Sequence, residues 1–243
     1  MLPSLDNFVS YGTDVFRSRA DYRQKALDIY TTALSSDHLG DNDRVNGCKL
    51  AESLLLNLRG HIDDVSARHP QLGHLSNYLQ KKKTQKLDLI VATAFGHLDK
   101  AETKAFELAN LEVLINAVLY NPGAALALIA TQRPGGARVF FDRWFVAVNA
   151  ERGLPRVHDK TLSIVALSAL LEMEPAAVPA ELRDGWPGIV GGAIRVFKGL
   201  PKAVAGACVF FGGIFPLPSP PPLAHNRGTD GHSSAQGAAG LAA

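Results

Sequence analysis

Few residues of this sequence have the types and spacing that catalysis requires. His158 and Asp159 are the strongest pair, because a carboxylate beside an imidazole can orient a general base. No evident nucleophile accompanies them, and an acidic residue just before a helix is more typical of an N-cap. We therefore predict that the pair is structural and that the protein is not an enzyme.

The sequence also lacks the short motifs that bind nucleotides or metal ions. It contains no phosphate-binding loop of the G-x-x-x-x-G-K-[ST] type, no G-x-G-x-x-G, no H-E-x-x-H and no C-x-x-C. Residues 41–43 (DND) begin like a calcium-binding loop, but Val45 stands where the third oxygen ligand would be. We assign no catalytic, cofactor-binding or metal-ligating residue, and we predict no cofactor.

One basic cluster is a candidate for binding another molecule. It consists of Lys81, Lys82, Lys83 and Lys86. No aromatic residues are interleaved with these lysines to stack on bases, so a hydrated helix face or loop is the favoured interpretation. Binding to an acidic protein, to RNA or to a transport receptor is the alternative.

A group of aromatic residues shares one helical spacing. Its members are Phe140, Phe141, Trp144 and Phe145. The spacing indicates core residues first and a peptide-binding groove second.

Composition narrows the class of protein. The 243 residues carry a net charge of +2, which gives no bulk electrostatic reason to expect nucleic acid or a membrane surface as a partner. Cys48 and Cys208 are the only cysteines, so a disulfide framework is excluded. We find no signal peptide and no apolar run of membrane-spanning length, and we expect a soluble intracellular protein.

Six windows have apolar residues at intervals of three and four, the mark of a helix with one buried face. They are residues 22–33, 48–62, 108–119, 141–148, 162–173 and 186–200. Two further helices are predicted between residues 72 and 98. The predicted N-caps are Asp159 and Asp184, and the predicted stops are Asn121-Pro122-Gly123 and Pro175.

Consecutive amphipathic helices joined by short turns predict an all-α fold. We expect an α-solenoid of antiparallel helix pairs, of the HEAT or armadillo type, with a compact helical bundle as the alternative. The solenoid is predicted to cover residues 1–205. Residues 206–243 are rich in Gly, Pro and Ala and have only two charged residues, so we predict a disordered tail.

Several segments resemble one known family. Residues 116–122 (NAVLYNP) resemble a helix end of importin-beta-type nuclear transport receptors, in the branch of importin-seven, importin-eight and their fungal counterparts. Residues 154–173, 197–200, 1–10 and 49–52 fit the same family in the same order. The resemblance covers residues 1–203, although residues 65–89 fit poorly.

The resemblance implies a role in carrying protein cargo into the nucleus. The implied partners are protein cargo, including basic nuclear proteins, and nucleoporins, with shuttling between nucleus and cytoplasm and without nucleic acid or membrane insertion. The family binds the GTPase Ran through its N-terminal half, whereas this chain resembles the C-terminal repeats, so Ran binding is not expected of it. A helical-repeat adaptor outside nuclear transport is the alternative.

Two departures from the family predict that the chain is a fragment. Met1 matches a position inside the family's chain, and the near-uncharged tail stands where the family has a long acidic segment. We hypothesise that the tail is a translated intron, which sequencing of the transcript across the codon for Lys202 would test.

The candidate contact points are the lysine cluster of residues 81–86 and the turn at Gly123.

Overall fold

The structure, a computed structural model, describes residues 4–62, 85–149, 154, 157–174 and 178–211. Within these ranges the chain is helical and has no strand. The helices are α1 (Leu5–Tyr11), α2 (Thr13–Ser18), α3 (Ala20–Ser35), α4 (Asp41–Asn57), α5 (Gln85–Leu98), α6 (Lys104–Tyr120), α7 (Pro122–Gln132), α8 (Gly136–Asn149), α9 (Val157–Leu171), α10 (Ala180–Arg183) and α11 (Trp186–Phe211).

The helices pack as pairs that stack on their neighbours. The pairs are α3 with α4, α5 with α6, α7 with α8, and α9 with α11. Between pairs, α3 packs on α5, α4 on α6, α6 on α9 and α8 on α11, while α1 covers the free side of α4. Contacts that run from each pair to the next are those of an α-solenoid. The predicted all-α, HEAT-like solenoid is therefore confirmed.

Helix α6 lies at the centre of the array. Every residue from 109 to 118 is buried, including the polar residues Asn110, Glu112 and Asn116. A helix without an exposed face must be surrounded by other elements. Helices α4, α5, α7, α8 and α9 all contact it.

The corner between α6 and α7 consists of one residue, Asn121. Its backbone N–H donates to the carbonyl of Ala117 at 3.0 Å and ends α6, while its side-chain oxygen accepts from the N–H of Ala124 at 3.1 Å. Pro122 occupies the first turn of α7, where its missing N–H costs nothing. The predicted stop is confirmed, but the helix that starts at the same residues was not predicted.

Charged side chains connect neighbouring pairs at their turns. The carboxylate of Asp41 accepts from the backbone N–H of Thr103 at 3.0 Å and so connects the start of α4 with that of α6. Asp99, between α5 and α6, accepts from Arg133 after α7 and from Arg143 on α8. These contacts fix the relative positions of successive pairs.

Both predicted acidic N-caps are wrong. Asp159 lies inside the first turn of α9, where it is 1% exposed, because the helix begins earlier, at Val157. Asp184 follows α10, and the backbone carbonyl of Gly185 accepts from the N–H groups of Gly188 and Ile189 at 2.9 and 3.1 Å. The chain therefore enters α11 through Gly185.

The predicted boundary between solenoid and tail falls within a helix. Helix α11 continues to Phe211, six residues past the predicted last residue of the solenoid, 205. Residues 212–243 of the predicted tail lie outside the described residues. Of the two helices predicted between residues 72 and 98, α5 is described, and residues 72–84 lie outside the described ranges.

Candidate functional site

A cleft lies between α8 and the α10–α11 segment and has a volume of about 1030 Å³. Helix α8 forms one wall and the start of α11 the other. The lining residues are Arg138, Phe141, Asp142, Phe145, Val146, Asn149, Leu182, Asp184, Gly185, Gly188, Ile189 and Arg195. A volume of this size is sufficient for a short peptide segment or several side chains of a partner.

Helix α8 has one face packed in the core and another face that forms a wall of the cleft. Phe140, Trp144 and Ala147 point into the core, whereas Asp142, Val146 and Asn149 are exposed along the cleft. The core side is fixed by the indole N–H of Trp144, which donates to the hydroxyl of Ser163 on α9 at 3.0 Å. This hydrogen bond to α9 holds the core side of α8 inward, and the opposite side of the helix then faces the cleft.

The aromatic residues singled out in the sequence lie partly in the core and partly along the cleft. Phe140, Phe141 and Trp144 are buried, which confirms the prediction of core residues. Phe141 stacks on Trp144 with ring centroids 5.8 Å apart, and both Phe141 and Phe145 also form part of the cleft wall. The aromatic core therefore reaches the surface at this cleft.

Glycine on α11 allows this wall to form. A Cβ atom on Gly192 would lie 2.2 Å from Cε1 of Phe145, so the absence of a side chain at this position leaves room for the ring in its present place. Gly185 and Gly188, which have no side chains, line the opposite wall. The width of the cleft follows from small residues on α11 as much as from the aromatic residues on α8.

The charges around the cleft are mixed in sign. Arg138 and Asp142 approach each other to 3.8 Å while both remain largely exposed, and Asp184 and Arg195 lie on the other side. Val146, 66% exposed, is the most accessible apolar side chain on the cleft wall. Such a surface can bind apolar side chains of another protein, and it does not select a strongly charged partner.

His158 and Asp159 lie on the first turn of α9 in different environments. His158 is exposed, whereas Asp159 is buried. Among the described residues, no group of three or more His, Cys, Asp or Glu side chains is arranged to hold a metal ion. The calcium-like stretch begins α4, and its Asp41 carboxylate contacts Thr103 and, at 3.4 Å, Arg44.

Two buried ionisable groups lie between α3, α4, α5 and α6. The hydroxyl of Tyr30 donates to the carbonyl of Ile90 at 3.2 Å, and Sγ of Cys48 lies 3.7 Å from the side-chain oxygen of Asn110. Burial raises the pKa of both groups well above their usual values, with a smaller contribution from the negative charge of Glu52. A buried thiol with a raised pKa is a poor nucleophile, so Cys48 is a packing residue.

The other candidate contact points are only partly described. Lys81 to Lys83 lie outside the described residues, and Lys86 is half-buried on the first turn of α5. Gly123 lies in the first turn of α7, where an added Cβ would meet Cε of Met173 at 3.8 Å. Among the described residues, neither Lys86 nor Gly123 lines the cleft. The cleft itself was not predicted, and the aromatic spacing at 140–145 was its only sequence signal.

None of the described helices is both long enough and apolar enough to cross a lipid bilayer.

Comparison with known proteins finds relatives that are named as importins or importin homologs. The chain is 29% identical over 177 residues to a probable importin-7 homolog of Dictyostelium discoideum, covering 71% of this chain and 14% of the relative. It is 24% identical to an importin beta-like SAD2 homolog of Arabidopsis thaliana, covering 75% and 16%. It is 26% identical to human importin-8, covering 84% and 18%.

No family model matches the chain, and no solved structure matches it significantly. The chain spans only 14–18% of the length of the curated relatives it matches. These relatives include importin-7, importin-8 and importin beta-like proteins, so they do not single out a fungal branch. Over most of its length, the chain is similar to one segment of the importins.

Proposed function

We propose that this chain is a protein-binding scaffold segment of a nuclear import receptor and contributes to the binding of protein cargo. The observation that carries the proposal is the similarity to importins over 71–84% of the chain. The stacked helix pairs support it, because a solenoid offers a long surface for proteins and little enclosure for small substrates.

Within this proposal, the cleft between α8 and α11 is the cargo contact. Val146 and Phe145 provide an apolar wall, and Arg138 and Arg195 provide donors at the rim. Because acidic residues lie beside these arginines, we expect cargo to be recognised mainly by its apolar side chains. Basic nuclear proteins remain a predicted cargo class, which direct binding will test.

The transport cycle extends beyond this segment. We propose that Ran is bound by other parts of the receptor, and that contacts with nucleoporins and shuttling between nucleus and cytoplasm belong to the whole molecule. A helical-repeat adaptor outside transport would have the same fold. The names of the relatives favour import.

A binding experiment with defined proteins tests the proposal. Purified ribosomal proteins and histones are titrated against the full chain and against Val146→Asp, with Val165→Asp as control. Val165 is a valine on α9 that is 44% exposed and does not line the cleft. We expect Val146→Asp to weaken cargo binding about tenfold or more, because it places a charge against an apolar contact.

The possible outcomes distinguish the proposed import function from the proposed cargo site at the cleft. Equal binding by the wild type and Val146→Asp would contradict the cleft assignment while leaving cargo binding in place. Failure of every nuclear protein to bind, with binding of cytosolic coat or kinase components, would contradict the import function. Circular dichroism of each variant verifies that the helices are intact.

A further inference from the structure

The two helices that form the walls of the cleft, α8 and α11, run in the same direction. Near the middle of the cleft, Phe145 on α8 lies against Gly192 on α11. Further along, Nζ of Lys160 on α9 donates to the carbonyl of Val148 at 3.4 Å and lies 3.8 Å from the position of a Cβ atom on Gly199. Because later residues of both helices converge on one lysine, their C-terminal halves lie toward the same end of the cleft.

This common direction places opposite charges at the two ends of the α11 wall. Asp184 lies just before α11, and Arg195 lies beyond Gly192, at the other end of the wall. A rise of 1.5 Å per residue separates the two positions by roughly 16 Å. Both side chains are exposed, and neither forms an ion pair with any other residue that the structure describes. Each therefore has a charge available to a ligand.

The charged residues of the α8 wall largely neutralise each other. Arg138 and Asp142 lie one turn apart and approach to 3.8 Å, both toward the Asp184 end of the cleft. At the opposite end, α8 contributes the neutral Asn149, whose side-chain N–H donates to the carbonyl of Phe145 at 2.7 Å. The cleft is thus acidic at one end and basic at the other, although its lining residues have no net charge.

The centre of the cleft is apolar. Phe145 and Val146 line it from α8, and Ile189 lines it from α11. An extended peptide advances about 3.3 Å per residue, so roughly 16 Å corresponds to about five residues. A segment that contacts both charged ends therefore has about four residues over the apolar centre.

We propose that the cleft binds a peptide segment with a basic side chain at one end, an acidic side chain at the other and about four apolar residues between them. The inference rests on the proposed function, because it names the chemistry of the cargo segment. The basic side chain pairs with Asp184 and the acidic side chain with Arg195. Exposed ion pairs contribute little affinity, so the charges select and orient the segment while the apolar residues provide most of the binding free energy.

Three kinds of synthetic peptide test this charge pattern. Each has four leucine and phenylalanine residues between two charged positions and the same dye on a glycine-serine extension. The mixed peptide has one lysine and one glutamate and is made in both orders, and the other two kinds have lysine at both ends or glutamate at both ends. Titrations of the full chain are followed by fluorescence anisotropy. We expect the better mixed peptide to bind about threefold to tenfold more tightly than the other kinds.

Charge reversal in the cleft should change this preference in a defined way. Asp184→Arg makes both ends basic and should favour the peptide with two glutamates, whereas Arg195→Asp makes both ends acidic and should favour the peptide with two lysines. The chain with both substitutions should again prefer a mixed peptide. Asp37→Arg and Arg59→Asp change the same charges at exposed positions outside the cleft and should retain the wild-type preference. The preference should disappear in about 1 M salt.

Several results would overturn the proposal. They are the failure of all the peptides to bind, equal binding of the three kinds, and a preference that neither cleft variant changes. Circular dichroism verifies that each variant is folded.

Binding of ribosomal proteins and histones to the same variants tests the proposed function separately. Cargo binding without discrimination among the peptides would reject the charge pattern and retain the import function. Discrimination among the peptides without any cargo binding would reject the import function and retain the cleft as a peptide site.

Discussion

A buried hydrogen bond between two side chains joins α8 to α9. Trp144 is completely buried, and its indole N–H finds its acceptor in Ser163, which is also buried. A buried donor that loses its acceptor retains the full cost of its desolvation. The bond therefore matters for the position of the aromatic residues behind the cleft as well as for stability.

Replacement of Ser163 by alanine tests that cost. We expect Ser163→Ala to lower the free energy of unfolding by about 1–3 kcal/mol, because the Trp144 N–H is left buried without this acceptor. Urea unfolding followed by circular dichroism measures the change. Ser168→Ala, at a half-buried position of the same helix, is the control and should change stability much less. Equal effects of the two substitutions would contradict the assignment.

The two buried ionisable groups predict how stability depends on alkaline pH. Burial raises the pKa of Cys48 and Tyr30 in the folded chain above their ordinary values of 9.0 and 10.0. In the unfolded chain both groups ionise near those ordinary values. The unfolded state therefore loses protons first as the pH rises, and stability that is fully present below about pH 9 falls above it.

Unfolding experiments across this range test the sign. For each group, the free energy of unfolding should fall by up to about 1.4 kcal/mol per pH unit once the unfolded-state group is ionised. Cys48→Ala removes the first of the two groups, so its stability should decline less steeply just above pH 9.0. A Cys48→Ala profile parallel to that of the wild type would show that the thiol does not contribute.

At the residue level, the sequence predicts the side chains that follow a simple period and not those whose role depends on distant neighbours. The burial of Phe140 and Trp144 followed from their spacing. The position of Asp159 did not, because an acidic residue near a helix start is compatible with both a cap and a buried first turn. The role of Asp41 as an acceptor toward Thr103 was not predicted either, because the two residues are 62 positions apart in the sequence.

At the scale of elements, glycine has opposite roles in two helices. Gly136 starts α8, and an added Cβ would lie 2.5 Å from the backbone carbonyl oxygen of Ile129 on α7. Gly96 lies within α5, and nothing lies within 4 Å of the position of its Cβ. The first glycine is required by the close approach of two helices, and the second only adds freedom to the unfolded chain.

Alanine at each position distinguishes these roles. Gly136→Ala should destabilise the fold by about 1–3 kcal/mol, since the backbone of α7 must move to admit the methyl group. Gly96→Ala should stabilise it by about 0.5–1 kcal/mol through helix propensity. Thermal and urea unfolding of both variants measure the difference. Changes of the same sign would contradict this account of the α7–α8 junction.

Helices with a clear apolar face were predictable as elements. Helices α3, α4, α6, α8, α9 and α11 all overlap the predicted windows. Helix α7 was missed because Asn121 and Pro122 were interpreted only as a stop, although asparagine at the N-cap and proline at the first position also start helices. Helices α1, α2 and α10 are too short for a period to be visible.

On the scale of the whole molecule, stability is expected to vary along the array. Helix α6 contacts five other helices, whereas α1 packs only on α2 and α4 among the more extensive contacts. In a solenoid each pair is held mainly by its neighbours, so the ends open more easily than the centre.

Hydrogen exchange measured by mass spectrometry tests this gradient. Amides of α6, around Val113 to Ile115, should exchange most slowly, and those of α1 and α2 most rapidly among the described helices. Equal protection of α1 and α6 at low concentration would contradict the gradient.

The cleft marks the limit of what a single sequence reveals. Its walls come from residues 138–149 and 182–195, and no periodic pattern connects the two segments. Their meeting depends on α9, which packs against α11 and is bonded to α8 through Ser163. Phe145 comes close to the backbone at Gly192 only in the folded chain, where the helix pairs are packed together.

The one-residue corner at Asn121 determines where the chain tolerates changes in length. Each residue inserted into a helix rotates everything after it by about 100°. Between α6 and α7 no slack exists to absorb such a rotation, because the same residue ends one helix and caps the next. In the connection between α5 and α6, the exposed residues Lys100 and Glu102 lie between the bonded residues Asp99 and Thr103, so an insertion has room there. Length variation among natural versions of this chain should therefore be found there and be absent at Asn121.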